Sequence, residues 1–485
     1  MSKTKIIYKD IAPGAAEAAT PEATSAEEFS DLALLPFGAG TPAVATLEHN
    51  RWVLDGSFEV HDEQEIAFWS TVVSDKSTGV FATPPVITLT FSRQFSSVGI
   101  TLTSDAATDE RCSSVTVQWY QGETLKAEAV FEPNDATFFC QQAVEAFDKI
   151  VLTLNKTSVP GRRARINSIL IGIVREFGMD ELRDAEITAE TSLIGTELPA
   201  GALKWTLESR KDIDYMFQLK QPVEAISAGK LIGVYYIDKA KRQGANTYQI
   251  ECQDAIGVLD DDVFAGGMYT DKSAKALAAE IIGGAFDLTI DAADTQVTGY
   301  IPEGTRRDAL QQLLFVWGVC ASTTGVTGVH IYSPGTELTD VGTGRTYTGP
   351  TVETAAITTS VQVTAHQYTA DASGDIEVGG QKYKDTTTVY TVTNPNVTAN
   401  TKANVVQITD ATLVSPAVGQ AVAQRVYDYY ARRKTASSKI VWQGEQPGAY
   451  LSVPDGWGTQ TVGHVEQLSI KLSNTLAAEI KSRGI

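Results

Sequence analysis

The sequence is poor in cysteine, histidine and positive charge. Its 485 residues include four cysteines, Cys112, Cys140, Cys252 and Cys320, far apart and in no C-x-x-C pair. That spacing signals neither a zinc knuckle nor a disulfide framework, so four small buried hydrophobes are expected. The five histidines, His49, His61, His330, His366 and His464, fall at no metal-ligand spacing, and a His-based catalytic or metal site is not expected. Lysine and arginine number 39 against 59 acids, a formal net charge of −20. Gripping a nucleic-acid duplex needs concentrated positive charge, which sets that function class aside. No run approaches the ~18 apolar residues of a membrane helix, the nearest being Leu313 to Ala321, and the opening MSKTKIIYKDIAPGA has no signal-peptide core. A soluble chain without a secretion signal is the expectation. Gly342-Thr343-Gly344 starts like a phosphate loop but lacks its lysine and the apolar helix that should follow, so a surface turn is expected there.

What is present is a globular composition, 43% hydrophobic and 20% charged, over a length of roughly three domains. Residues 1–48 mix Ala, Pro and Gly with Glu17, Glu22, Glu27, Glu28 and Asp31 around an apolar knot at Leu32, Leu34, Leu35 and Phe37, and are expected as an extended acidic arm. From Trp52 the pattern has period two. Ile87, Leu89 and Phe91, then Val98, Ile100 and Leu102, then Val115, Val117 and Trp119, then Ile150, Leu152 and Leu154 each alternate with polar residues. Turn signals separate them, which predicts an antiparallel β-sandwich over 49–175.

Past Phe177 sheet is joined by helix. Leu203, Trp205 and Leu207 alternate, and 231–237 with 247–252 read as a hairpin. Helical stripes follow: Ala274, Leu277, Ala278 and Ile281 before Gly283, and Leu310, Leu313, Leu314 and Trp317 between a Thr305/Asp308 cap and Gly318. Ser415-Pro416 predicts a third helix to about Lys434, carrying Val418, Val422 and Val426. Strands are expected again at 440–442, 450–453 and 465–472. The fold class is thus multidomain, β-rich α+β.

Three constellations could carry chemistry. Asp254 with Asp260, Asp261 and Asp262 could hold a hard cation, yet no EF-hand pattern is present and a solvated loop is favoured. Trp119, Trp205, Trp442 and Trp457 with scattered acids could line a glycan-cleaving groove, although aromatics at strand spacing more often belong to a core. Trp119 or Tyr120 could instead offer a stacking platform to a cell-wall glycan. No catalytic, metal or cofactor residue is assigned.

Several segments resemble one family, the siphophage and prophage tail baseplate hub (tail-associated) proteins of phages and phage tail-like particles. They are His49 to Phe58, with the pattern N-R-W-x-L-D-G-S, then Phe81 to Pro85 and Phe95 to Leu102. Gly266 to Tyr269 and Gly299 to Pro302, running into Thr305 to Gln312, resemble the family's central region. Ala423 to Tyr430 and Gln446 to Val453 resemble its closing domain. The resemblance implies a non-enzymatic homotrimer in which each chain supplies two tube-like β-barrels, so that a threefold ring meets the sixfold tail tube. It implies a first hub barrel at 176–258, a helix-containing α+β domain at 259–345, and a second hub barrel with a closing helix and strands at 346–485. The sandwich would then be a carbohydrate-binding-type module. Partners so implied are further copies of the chain, tail tube and distal tail proteins, the tape measure protein, and distal tip or receptor-binding proteins, in a virion or tail-like particle assembled in the bacterial cytoplasm. DNA would pass only as non-adhering cargo, repelled by carboxylates in the channel. Assembly and packing residues are expected at Val422, Val426, Tyr430, Leu310, Leu313 and Trp317. The alternative is a receptor-binding tail protein whose sandwich recognises cell-wall glycan.

Overall fold

Alternation of apolar and polar residues builds the strands of the chain's first unit. The computed structural model describes residues 4–39, 66–104, 110–209, 217–398, 400–454, 460–472 and 476–484. They form two units, Tyr8–Arg175 and a second made of Met1–Ile7 with Glu176–Ile485. The motif at His49 to Phe58, with His49, His61, Trp52 and Trp457, lies outside the described residues.

In the first unit, strands β1 (Ala19–Ala23), β3 (Val86–Thr103), β6 (Thr137–Thr157), β4 (Cys112–Gln121) and β5 (Thr124–Phe131) pair antiparallel in that order. The two long strands bend. Their ladder shifts register between Thr90 and Gly99, and beyond it Ile100 to Thr103 pair with β8 (Ser168–Gly178). Gly99 sits at φ 155°, where an added Cβ would lie 2.3 Å from the Cys140 carbonyl oxygen; only glycine lets the strands approach so closely. A short pair, β2 (Phe68–Val73) with β7 (Arg163–Ile166), completes the unit. Ile87, Leu89, Ile100, Val115, Trp119, Ile150, Leu152 and Ile169 meet in one core, the sandwich arrangement of two inward faces.

The segment 1–48, expected as an extended acidic arm, is described over residues 4–39. Residues 8–39 belong to the sandwich unit: β1 pairs with Ile87 to Phe91, and Ala15 and Leu35 are buried in the core. Too sparse to fold alone, the segment gains its apolar contacts by extending a sheet already made.

The second unit is dominated by an antiparallel ladder. Its strands are β9 (Leu182–Glu190), β10 (Ala202–Glu208), β11 (Pro222–Ser227), β12 (Lys230–Arg242) and β13 (Thr247–Asp254), then β14 (Thr346–Thr354), β15 (Lys434–Val441), β16 (Tyr450–Pro454), β17 (Gln460–Lys471) and β18 (Ala477–Gly484). Pairing runs β11-β12-β13-β10-β9-β17-β18-β15-β14, with β16 paired to Gln460–His464 at the start of β17. Two further cores hold the helices. Helices α1 (Ala274–Ile282) and α2 (Arg306–Trp317) bury Leu277, Ile281, Leu310 and Leu313 with Val329 and Ile331. Helix α3 (Gly419–Ala431) buries Val422, Ala423 and Val426 against Val361, Val363 and Ala365. The chain is a multidomain, β-rich α+β protein.

Candidate assembly site

The join of β9 to β17 is the feature that most organises the second unit. It brings residues 186–190 against 467–471 in register, Glu186 to Lys471, Ile187 to Ile470, Ala189 to Leu468. Because strand side chains alternate, the sheet has two continuous faces. On one, Cys252, Leu203, Ile187, Ile470, Ala478 and Ile440 form a row across six strands, all buried. On the other, Lys239, Glu251, Lys204, Glu186 and Lys471 oppose one another in turn, so charge alternates along the row. Gln467 Nε2 donates to Glu190 Oε1 at 2.7 Å, and the Ser469 hydroxyl donates to Glu186, stitching the join on its polar side.

The residues expected to bind subunits are distributed differently. Leu310, Leu313, Val422 and Val426 are fully buried among side chains of their own chain and have no surface to offer a second copy. They pack the chain's own cores; helical spacing identifies the buried stripe but not what covers it. Trp317 is half-buried and donates its indole N–H to the Ala293 carbonyl at 2.8 Å. Tyr430 is half-buried, edge-on to Tyr429 at 5.0 Å. Exposed apolar side chains lie instead on β14, where Tyr347 and Val352 are about half exposed.

Trp119 cannot be a stacking platform: it is 0% exposed, inside the sandwich core. Tyr120 points to the opposite face, half-buried, with the Lys149 ammonium 4.8 Å from its ring centre. Trp205 is buried as well, and Trp442 donates its N–H to the Glu445 carbonyl.

The aspartate cluster is taken up by ion pairs. Asp261 meets Lys220, 2.5 Å away, Asp262 meets Arg306 at 3.8 Å and Asp260 pairs with Arg307, so the loop needs no cation. Asp254 stands apart from them. Fully buried, it accepts from the Gly257 amide at 2.9 Å and the Thr323 hydroxyl at 2.8 Å, capping a single helical turn, Ala255–Val258. Burial raises its carboxyl above the ordinary value.

The described histidines are committed too. His330 Nε2 lies 2.8 Å from Asp291, and His366 Nδ1 lies 2.8 Å from Asp385 with Nε2 3.3 Å from the Thr409 carbonyl. Burial pushes the thiols of Cys112, Cys140, Cys252 and Cys320 up to about 12, far from a reactive thiolate. Among the described residues no group of three or more His, Cys, Asp or Glu is placed to hold a metal. Sequence reasoning missed the β9–β17 pairing and the buried ion pairs of Glu110 with Arg162 and Arg165, each at 2.7 Å; neither has a local signature.

No protein-family model matches the sequence, and no curated protein does. Among solved structures the chain is similar to phage and prophage tail proteins. One is the tail protein from Neisseria meningitidis MC58, at 13% identity over 64% of this chain and 93% of that one, TM-score 0.45. Another is the 43 kDa tail protein of prophage MuSo2 from Shewanella oneidensis, at 11% identity over 64% and 95%, TM-score 0.44. The prophage tail protein gp18 from Listeria monocytogenes EGD-e aligns at 11% identity over 64% and 91%, TM-score 0.43.

Proposed function

We propose that this chain is a structural baseplate hub protein at the distal end of a phage or phage-like tail, assembling as a homotrimeric ring that continues the tail tube. The observation that carries the reading is the β9–β17 ladder: segments from 176–258 and 346–485, nearly 300 residues apart at the join, share one sheet. Two tube-like units so joined in each chain let three chains present six to the tube. The hub resemblance of the sequence points the same way.

In this reading the polar face of the joined sheet lines the channel. Lysine and glutamate alternate along the described row, so DNA meets no unbroken basic stripe there and passes without adhering. That replaces an acidic wall by a balanced one. Subunit contacts fall to exposed apolar positions such as Tyr347 and Val352, and the partners are the tail tube and distal tail proteins, the tape measure protein and distal tip or receptor-binding proteins. The work is done by interfaces and needs neither cofactor nor catalytic residue.

The test is the native mass of the purified full chain together with its position in particle images. A trimer on the tail axis is expected; a monomer at every concentration, or a density far from the axis, overturns the proposal. Glycan-array binding by the full chain, lost on replacing Tyr120, would instead favour a receptor-binding role for the sandwich.

A further inference from the structure

A cavity of about 740 Å3 lies in the second unit between α3 and the β16–β17 hairpin. Three guanidiniums, of Arg425, Arg432 and Arg483, reach its wall in a chain that is otherwise strongly acidic. Arg483 is compensated: its Nε lies 2.8 Å from Glu466, whose carboxylate also accepts from the Tyr429 hydroxyl at 2.7 Å. Arg425 and Arg432 are not, for neither makes an ion pair among the described residues. Arg425 donates to the Phe315 carbonyl, its Nε is buried without a partner, and burial lowers the guanidinium to about 10. The left-handed Gly318 makes room for it, since a Cβ there would stand 2.6 Å from Arg425 Nη1.

Arg432 is oriented rather than neutralised. Its Nη1 donates to His464 Nδ1 at 3.2 Å, while His464 Nε2 donates to the Gly335 carbonyl at 2.8 Å. Both ring nitrogens are used in the neutral form of the imidazole, and Tyr450 stacks on the ring at 4.6 Å. Among the described residues of the wall Asp428 is the one carboxylate, and it accepts from Gln424 of the same helix.

An uncompensated cation away from bulk water is costly, and a planar guanidinium is best repaid by the two oxygens of a carboxylate or phosphate. The volume is that of a small-molecule site rather than of one ion. We propose that this cavity binds a ligand carrying a carboxylate or phosphate group, gripped by Arg425 and Arg432, with its body against Tyr450. The inference is independent of ring assembly and holds for a monomer as for a trimer.

The full chain is titrated calorimetrically with inorganic phosphate and, separately, with benzoate, at constant ionic strength. Saturable binding of one equivalent per chain is expected for at least one probe: phosphate alone identifies a phosphate-bearing ligand, benzoate alone a carboxylate-bearing one. Arg432→Gln is expected to weaken it by at least about tenfold, while Arg433→Gln, outside the cavity wall, leaves it unchanged. Should Arg432→Gln not fold, Arg432→Lys, which keeps the charge and loses the fork, is read in the same titration. No saturable binding below about 10 mM of either probe, or binding undiminished in the Arg432 variant, overturns the proposal.

Discussion

Glu110 holds two guanidiniums inside the sandwich unit: Arg162 Nε and Arg165 Nη1 each lie 2.7 Å from one of its oxygens, and Arg165 stands 4.1 Å over the Trp69 ring. All three charged residues are at most 8% exposed, so truncating the acid takes a short ion pair from each of two buried cations. Glu110→Ala is expected to cost ~3–5 kcal/mol, read as a fall in the urea midpoint of the sandwich transition; a loss below ~1 kcal/mol would mean that water already solvates the pair. Asp254 makes a pH-dependent counterpart. Its folded pKa lies above the 3.8 of an ordinary aspartate, so its contribution is complete below that value and is lost as pH rises through the folded pKa. Asp254→Asn retains an acceptor for the Gly257 amide and a neutral partner for Thr323. The stability of the wild type relative to this variant should therefore decline between pH 4 and pH 8, measured by urea midpoints. A flat difference would place the carboxyl in contact with water.

At the scale of elements, what the sequence shows is whatever repeats locally. Period-two runs at 86–103, 112–121 and 137–157 are strands, and the stripes on α1 and α2 end at Gly283 and Gly318, both left-handed C-caps. Thr305 caps α2 by accepting from the Asp308 amide at 3.0 Å, as the Thr305/Asp308 spacing suggests. The third helix is shorter than its signals. The Ser415 carbonyl accepts from Val418 and Gly419 in a preceding turn, and the other end stops at Ala431 because Lys434 is already in β15, opposite Gly484. Strand pairing overrides the helical preference there. Which strand pairs with which is not local at all: β9 and β17 meet across more than 270 residues, and no motif announces it. The same gap separates a buried stripe from a subunit contact. Leu313→Ala should cost ~2–5 kcal/mol in thermal or chemical unfolding and leave native mass unchanged. Val352→Lys should do the reverse, lowering the mass while unfolding barely moves. An exchange of those outcomes would return the assembly role to the helices.

For the whole molecule, charge sets the terms of association. Copies that each carry a formal −20 repel, and the repulsion between exposed charges shrinks as the Debye length falls from about 14 Å near 0.05 M salt to about 4 Å near 0.5 M. The row from Lys239 to Lys471 does not offset this between copies, because its charges are already matched by neighbours in the same sheet. The apolar residues on β14 carry no charge to be screened. Assembly through them should therefore tighten as salt rises, with the trimer fraction in light scattering higher at 0.5 M than at 0.05 M. Dissociation by salt would mean that attraction between opposite charges, not burial of Tyr347 and Val352, holds the copies together, and the contact would have to be sought among the ion-pairing residues instead.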